Sequence, residues 1–316
     1  MFGPNDAGEV ARRFSLGAGA RLTGIAERGE QGEIRQLATD RGTWAVKLAF
    51  GEPEETDGED AAFQEAARRA GVPAPAVVRT GEGGVFAEIA GVHVRVYGWV
   101  DVLPADRTLD PARVGRLVAG MHGVAFAGRR PEDRWYTDAV GAAAWDGLIE
   151  DLAAAGAPFT DDLAVGRDDL VAAEALIEPA SDLRTCHRDL WADNLRGTGD
   201  GGLCVIDWEN CGRADPGQEL AGVLFEFWLG EPDRARELHR EYRRAGGPGR
   251  VESRGSFSMS IAQLGHITEI ACRIWLGSET SPDERLRQEA RVGEATGDAL
   301  TVRVIDEILD AVAGEP

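Results

Sequence analysis

The chain has 316 residues, 43% of them apolar and 28% charged, which is the balance of a globular protein and not of a disordered or membrane-embedded one. Its 34 Lys and Arg against 55 Asp and Glu give a net charge of −21, a field that repels phosphate backbones and anionic lipid. Nucleic acid and membrane surfaces are therefore excluded as expected partners, a cationic small molecule would be drawn in, and an anionic ligand would need a local basic group and a metal.

Taken in chain order, the first hundred residues have strand and turn character: 22–26, 34–38, a turn at Asp40-Arg41-Gly42, then 43–49. A helix is predicted over 58–70, closed by Gly71 and followed by Pro73 and Pro75, and after it two apolar segments, 85–89 and 92–100. The amino-terminal part thus reads β-β-β-α-β-β. Beyond residue 100 the pattern becomes mainly helical. Asp110 and Pro111 start one helix with Val114, Leu117, Val118 and Met121 on a face, and Asp215 and Pro216 start another with Leu220, Val223, Leu224, Phe227 and Trp228 as its buried stripe. Ile261, Leu264, Ile267, Ile270, Ile274 and Trp275 form a further apolar face, and Ser281 with Glu284 a capping box. The expected architecture is α+β with two lobes, 1–100 and 101–316, sharing one cleft.

Cys186, Cys204, Cys211 and Cys272 show neither a CxxC pair nor zinc-site spacing and read as reduced thiols. Residues 1–10 lack a basic stretch followed by an apolar core, and the expected location is the cytoplasm.

The chemistry concentrates in Cys186-His187-Arg188-Asp189-Leu190-Trp191-Ala192-Asp193-Asn194-Leu195 and, past a glycine-rich turn, Cys204-Val205-Ile206-Asp207. If 194–196 and 204–206 pair as a hairpin, Asn194 and Asp207 lie together at its open end, and one amide oxygen with one carboxylate is a suitable protein share of a Mg²⁺ shell. Asp189, just upstream, would accept a proton from an attacking hydroxyl or orient it. Asp189 alone would read as a turn residue; the joint pattern reverses that.

These residues resemble the aminoglycoside phosphotransferase and choline kinase type family, whose catalytic loop reads His-x-Asp-x4-Asn with a metal-binding Asp after a hairpin; His187, Asp189, Asn194 and Asp207 match it. The resemblance implies a protein-kinase-like two-lobed fold, with Asp189 as catalytic base and Asn194 and Asp207 holding Mg²⁺ on the phosphates of ATP, GTP being left open. By the same resemblance Lys47 in Trp44-Ala45-Val46-Lys47-Leu48 is the nucleotide lysine, Gly29 and Gly32 belong to the phosphate-covering loop, and Tyr97 to Val100, with Trp99, form the connection between lobes whose backbone meets adenine. Glu59, Asp60 and Glu65 are candidates for the acid that pairs with Lys47, and Glu59 is chosen.

His187 is expected to be a structural hydrogen-bonding residue, Asp215 a helix cap, Glu219 a surface or salt-bridge residue, and His122 and His266 helical residues with no acid or cysteine at ligand spacing. Trp191, Trp208 and Trp228 are assigned to core packing. The expected function is transfer of the γ-phosphoryl of ATP to a hydroxyl of a small amine-bearing or sugar-like acceptor, with Glu209, Glu226 and Glu269 as candidate lining for a cationic one. A nucleotide-binding regulatory protein is the alternative, and a protein kinase is disfavoured by the missing activation segment.

Overall fold

The computed structural model describes residues 2–28, 32–49, 58–297 and 299–313. In chain order it has α1 (Ala7–Arg13), β1 (Arg21–Arg28), β2 (Gly32–Thr39), β3 (Gly42–Ala49), α2 (Glu59–Arg69), β4 (Val77–Val78), β5 (Ala87–Ile89) and β6 (Val92–Gly98). There follow α3 (Pro111–His122), α4 (Ala142–Ala155), α5 (Thr160–Glu174), β7 (Arg184–Cys186), β8 (Leu195–Gly197), β9 (Leu203–Val205) and β10 (Gly212–Ala214). The chain ends with α6 (Pro216–Trp228), α7 (Pro232–Arg244), α8 (Ser258–Leu276), α9 (Pro282–Gly297) and α10 (Val302–Val312).

Two compact units result, Met1–Asp106 with Val124–Arg130 and Ala192–Gly212, and Arg107–Gly123 with Pro131–Trp191 and Arg213–Pro316. A single break near residue 100 assigns the hairpin at 194–207 to the helical part. In the structure that hairpin clusters with the amino-terminal sheet instead, because its strand β9 is tied there, the amide of Val205 donating to the carbonyl of Pro73 at 2.9 Å.

The first unit is built on a sheet of order β1-β2-β3-β6-β4, with β5 also on β6. β2 and β3 run in register from Gly32 opposite Ala49 to Thr39 opposite Gly42, so the turn expected at 40–42 closes the hairpin. Strand alternation sends Val46 and Leu48 of β3, with Val94 and Val96 of β6, into the core, where they meet Val10, Phe14 and Leu16 from α1 and its end. α1 escapes a pattern reading because it is short; what holds it is this tertiary burial.

In the second unit Asp110 and Asp215 act as N-caps, accepting from the amides of Ala112 at 2.9 Å and Gly217 at 2.8 Å. Ser281 accepts from the amide of Glu284 at 3.2 Å, whereas the Glu284 carboxylate turns to Arg287 and Gln288. In α6 every residue except Glu226 is buried, so the helix is interior on all sides and not one-faced. α8 buries Gly265, Thr268, Ala271, Cys272 and Trp275, while Ile270 of the expected face is 38% exposed. Trp145 and Leu152 of α4, Leu163 of α5 and Val292 of α9 fill a layer they share with Ala271 and Cys272 of α8. All four cysteines are buried free thiols. Among the described residues no helix is long and apolar enough to cross a membrane.

Candidate active site

The first unit carries a cluster of opposite charges on the sheet face away from its core. Because Val46 and Leu48 point inward, Lys47 points the other way, and β6 places Arg95 directly opposite it in the antiparallel register. Two cations in cross-strand register repel each other, and three carboxylates offset them. The Lys47 ammonium donates to Asp207 Oδ1 at 3.0 Å and to Glu209 Oε2 at 2.5 Å. Arg95 Nη1 donates to Asp60 Oδ2 at 2.6 Å and to Glu209 Oε1 at 3.2 Å. Burial pushes the Lys47 ammonium toward its neutral form, but Asp207 and Glu209 outweigh it and hold the pKa above its ordinary value.

Local structure explains why Asp207 and Glu209 reach this place. β8 and β9 pair from Leu195 opposite Val205 to Gly197 opposite Leu203, and the amide of Ile206 donates to the carbonyl of Asn194 at 2.9 Å. Asn194 therefore stands across from Ile206, one residue short of Asp207, at the open end of the hairpin. Asp207 takes a left-handed backbone conformation (φ 57°) that ends β9 and opens a 3-10 turn over Trp208–Asn210. Trp208 is buried with its ring edge-on to Phe63 of α2 at 5.4 Å, the packing role expected of it. The guanidinium of Arg130 donates to the carbonyls of Glu209 and Cys211, which fixes the end of the turn.

Glu59 is not the partner of Lys47. Its Oε1 accepts from the amides of Arg129 at 2.5 Å and Arg130 at 2.9 Å, and the next residue, Asp60, pairs with Arg95. One position along a helix rotates a side chain by more than a quarter of a turn, which is enough to exchange the two roles. Gly32 opens β2 where a side chain would crowd the Leu48 carbonyl; Gly29 lies outside the described residues. At the end of β6, Tyr97 lies beside the Arg95 guanidinium at 5.8 Å, the amide of Gly98 donates to Ala76 and that of Trp99 to Thr43, and the Trp99 indole donates to Asp101 at 2.6 Å. The amides of Gly98 and Trp99 are thus engaged within the chain.

In the second unit, Asp189 follows β7 and accepts from Gln263 Nε2 of α8 at 3.2 Å. Its neighbour Arg188 is forced into the left-handed region (φ 66°), an unfavourable conformation for a long side chain, and is held there from several sides. Its amide donates to Glu219, its guanidinium lies over the Tyr136 ring at 4.5 Å, and Nη1 donates to Pro131 at 3.4 Å.

Of the two roles expected of Glu219, surface or salt-bridge residue, the first is overturned, since it is 1% exposed, and the second holds, since it pairs with His122. His122 Nε2 lies 2.7 Å from its carboxylate and His122 Nδ1 2.8 Å from the Tyr242 hydroxyl. Burial pushes the Glu219 carboxyl up, but the His122 contact and the Arg188 amide outweigh that and hold it below its ordinary value. His122, Cys186 and Glu219 do come within metal-ligand spacing of one another, contrary to expectation. Both imidazole nitrogens are, however, already engaged with protein groups, and the trio reads as a buried polar network supporting the loop at 187–189.

The acids proposed as lining for a cationic acceptor also have protein partners. Glu209 is described above, Glu226 lies 3.5 Å from Arg107, and Glu269 lies 2.7 Å from Arg273. Sequence reasoning missed Arg95 in the first unit's charge cluster and Gln263 as the partner of Asp189 in the second unit, and it named Asp60 only as an alternative to Glu59. Arg95 alternates with the apolar residues of β6 as Lys47 does in β3, a signal readable only once the two strands are known to pair.

A family model described as phosphotransferase enzyme family matches residues 26–255. None of the curated proteins matches the chain. Among solved structures, a spectinomycin phosphotransferase in complex with ADP and spectinomycin is similar over 98% of both chains, with TM-score 0.71 and 13% identity. A choline/ethanolamine kinase family protein from Mesorhizobium loti is similar over 92% of each chain, with TM-score 0.52 and 20% identity. An amicoumacin kinase in complex with AMP-PNP and Ca²⁺ covers 88% of each, with TM-score 0.58 and 13% identity. At such identities these likenesses establish the fold, which is kinase-like and α+β. The family match spans well over half of the chain and takes in the lysine strand, the Asp189 loop and the Asp207 hairpin, so the chain belongs to the phosphotransferase enzyme family.

Proposed function

We propose that this chain transfers the γ-phosphoryl group of ATP to a hydroxyl of a small amine-bearing or sugar-like acceptor. The observation that carries the reading is the convergence of Lys47, Asp207 and Glu209, with Asn194 across the hairpin end. Neighbours of the same fold in complex with ADP and AMP-PNP support nucleotide use.

Lys47 is the group that would meet the nucleotide phosphates, a point charge on a flexible stem within reach of two carboxylates that it can exchange. Three carboxylates face two cations here, and Asn194 and Asp207 offer an amide and a carboxylate oxygen, a donor set that fits a hard divalent cation. These two residues would hold Mg²⁺, which when bound offsets the charge of the transferring phosphoryl group. Asp189 accepts the proton of the acceptor hydroxyl or aligns its oxygen, and the amide of Gln263 holds its Oδ1 in place.

The test is ADP release with ATP and Mg²⁺ against a panel of spectinomycin, other aminoglycosides, choline, ethanolamine, aminopropanol and homoserine. Turnover with at least one member is expected. Asp189→Ala is expected to lose about 10³-fold in rate while ATP affinity stays within about twofold. An Asp189→Ala protein that turns over like the parent would overturn the proposal.

A further inference from the structure

We infer that Asp60 and Arg95 position Lys47 through Glu209, so that the acid of α2 acts on the nucleotide lysine at one remove. The inference rests on the role of Lys47 proposed above.

The chain of contacts is continuous. Asp60 Oδ2 holds Arg95 Nη1 at 2.6 Å, Arg95 Nη1 holds Glu209 Oε1 at 3.2 Å, and Glu209 Oε2 holds Lys47 Nζ at 2.5 Å. Its far end is rigid. The Asp60 and Arg95 side chains are only 2% and 5% exposed, and the guanidinium lies over the Phe86 ring at 4.6 Å and beside the Tyr97 ring at 5.8 Å. Both carboxylates accept from one nitrogen, Nη1, while Nη2 is buried with no hydrogen-bond partner among the described residues, so burial and the ring contacts hold the guanidinium plane. The Glu209 carboxylate is in turn fixed by using one oxygen for each cation, and its backbone is held by Arg130.

Lys47, by contrast, sits at the end of four rotatable bonds. Its second partner, Asp207, is the more exposed of its two carboxylates, and among the described residues Lys47 is the only cation it pairs with. Glu209 is therefore the contact that defines where the ammonium stands. The geometry also explains why Lys47 and Arg95 tolerate being directly opposite each other: a single carboxylate bridges them.

Two physical effects give opposite signs, which makes the inference testable. Glu209 and Asp60 are anions near the place where an anionic nucleotide would bind. If they act only as charges, neutralising them tightens nucleotide binding. If they position Lys47, neutralising them loosens it.

The experiment is titration calorimetry of AMP-PNP with Mg²⁺, using Lys47→Ala, Glu209→Gln, Asp60→Asn and the double variant Lys47→Ala/Glu209→Gln of the full chain. The expected dissociation constants rise about tenfold for Lys47→Ala and about fivefold for Glu209→Gln. Asp60→Asn is expected to give a rise of about threefold, and the double variant to bind no more weakly than Lys47→Ala alone. Unchanged or tighter binding in Glu209→Gln overturns the inference. Should Asp60→Asn fail to fold, Glu209→Gln decides, because it leaves the buried Asp60–Arg95 pair in place. Unchanged affinity in Lys47→Ala would overturn the nucleotide role of Lys47 itself, and the inference with it.

Discussion

Each unit of this protein contains a carboxylate gathered with basic and hydrogen-bonding groups, and the two clusters differ in their access to water. In the first, Asp207 pairs with Lys47 while its side chain stays 42% exposed. In the second, Glu219 is 1% exposed and its oxygens are taken up by His122 and the Arg188 amide. A partnered carboxylate that still meets solvent can change partners at little cost, as a site that admits a charged ligand must. One sealed in the interior is committed, since freeing it leaves a buried charge uncompensated. Both carboxylates are paired, and exposure is what separates them: Asp207 can exchange its partner, whereas Glu219 cannot.

The largest contrast should come from Asp207→Ala. Phosphoryl transfer is expected to fall by about 10³-fold, or about 4 kcal/mol in the barrier. The melting temperature should move little, because Lys47 keeps Glu209 at 2.5 Å. A rate within tenfold of the parent would remove Asp207 from the chemistry and break the comparison at its first member.

The complementary change is Glu219→Ala, which removes one side of a buried polar network. We expect a loss of about 3 kcal/mol in stability, read as a fall of about 6–10 °C in the melting temperature. Nucleotide affinity of the folded fraction should be retained. An unaltered melting temperature would show that Glu219 is not the structural member of the pair.

Acidification sharpens the same comparison more gently. The folded pKa of Glu219 lies below its ordinary value of 4.5, so its contribution to stability is complete above that value and drains away as pH falls through the folded one. Denaturant midpoints of the parent should therefore drop more steeply as pH falls below 4.5 than those of Glu219→Gln, which cannot titrate there. Lys47 gives the opposite sign on the alkaline side: its pKa is raised, so its contribution is present below its ordinary 10.5 and is lost as pH climbs through the folded value. Parallel acid limbs for the parent and Glu219→Gln would count against the buried assignment.

How much of this was legible in the sequence follows from the range of the interactions involved. The segment from Asp189 to Asp207 could be read because the hairpin that joins Asn194 to Asp207 is local, and the helix starts at Asp110 and Asp215 because a cap bonds its own first turn. Lys47 was readable through strand alternation. The choice of Glu59 over Asp60 failed because their partners, the amides at 129 and 130 and the guanidinium of Arg95, lie far away along the chain. Glu219 was misplaced because a charged residue on a helix is ordinarily at the surface, and nothing nearby in sequence announces His122, 97 residues before it. Of the face drawn on α8, Ile261 and Trp275 are buried but Ile270 is not, and packing also selected Gly265, Ala271 and Cys272, whose small size admits neighbouring helices.

The composition of the first unit carries a consequence for how the protein is made. Lys47 finds Asp207 and Glu209 at 160 and 162 positions' separation, and Phe63 meets Trp208. A nascent chain emerging from the ribosome exposes its amino-terminal sheet long before those partners exist, with Lys47 and Arg95 facing each other unbridged. That sheet must wait, partly finished, for the segment ending at Gly212 to be translated, and pairings of such long range close slowly.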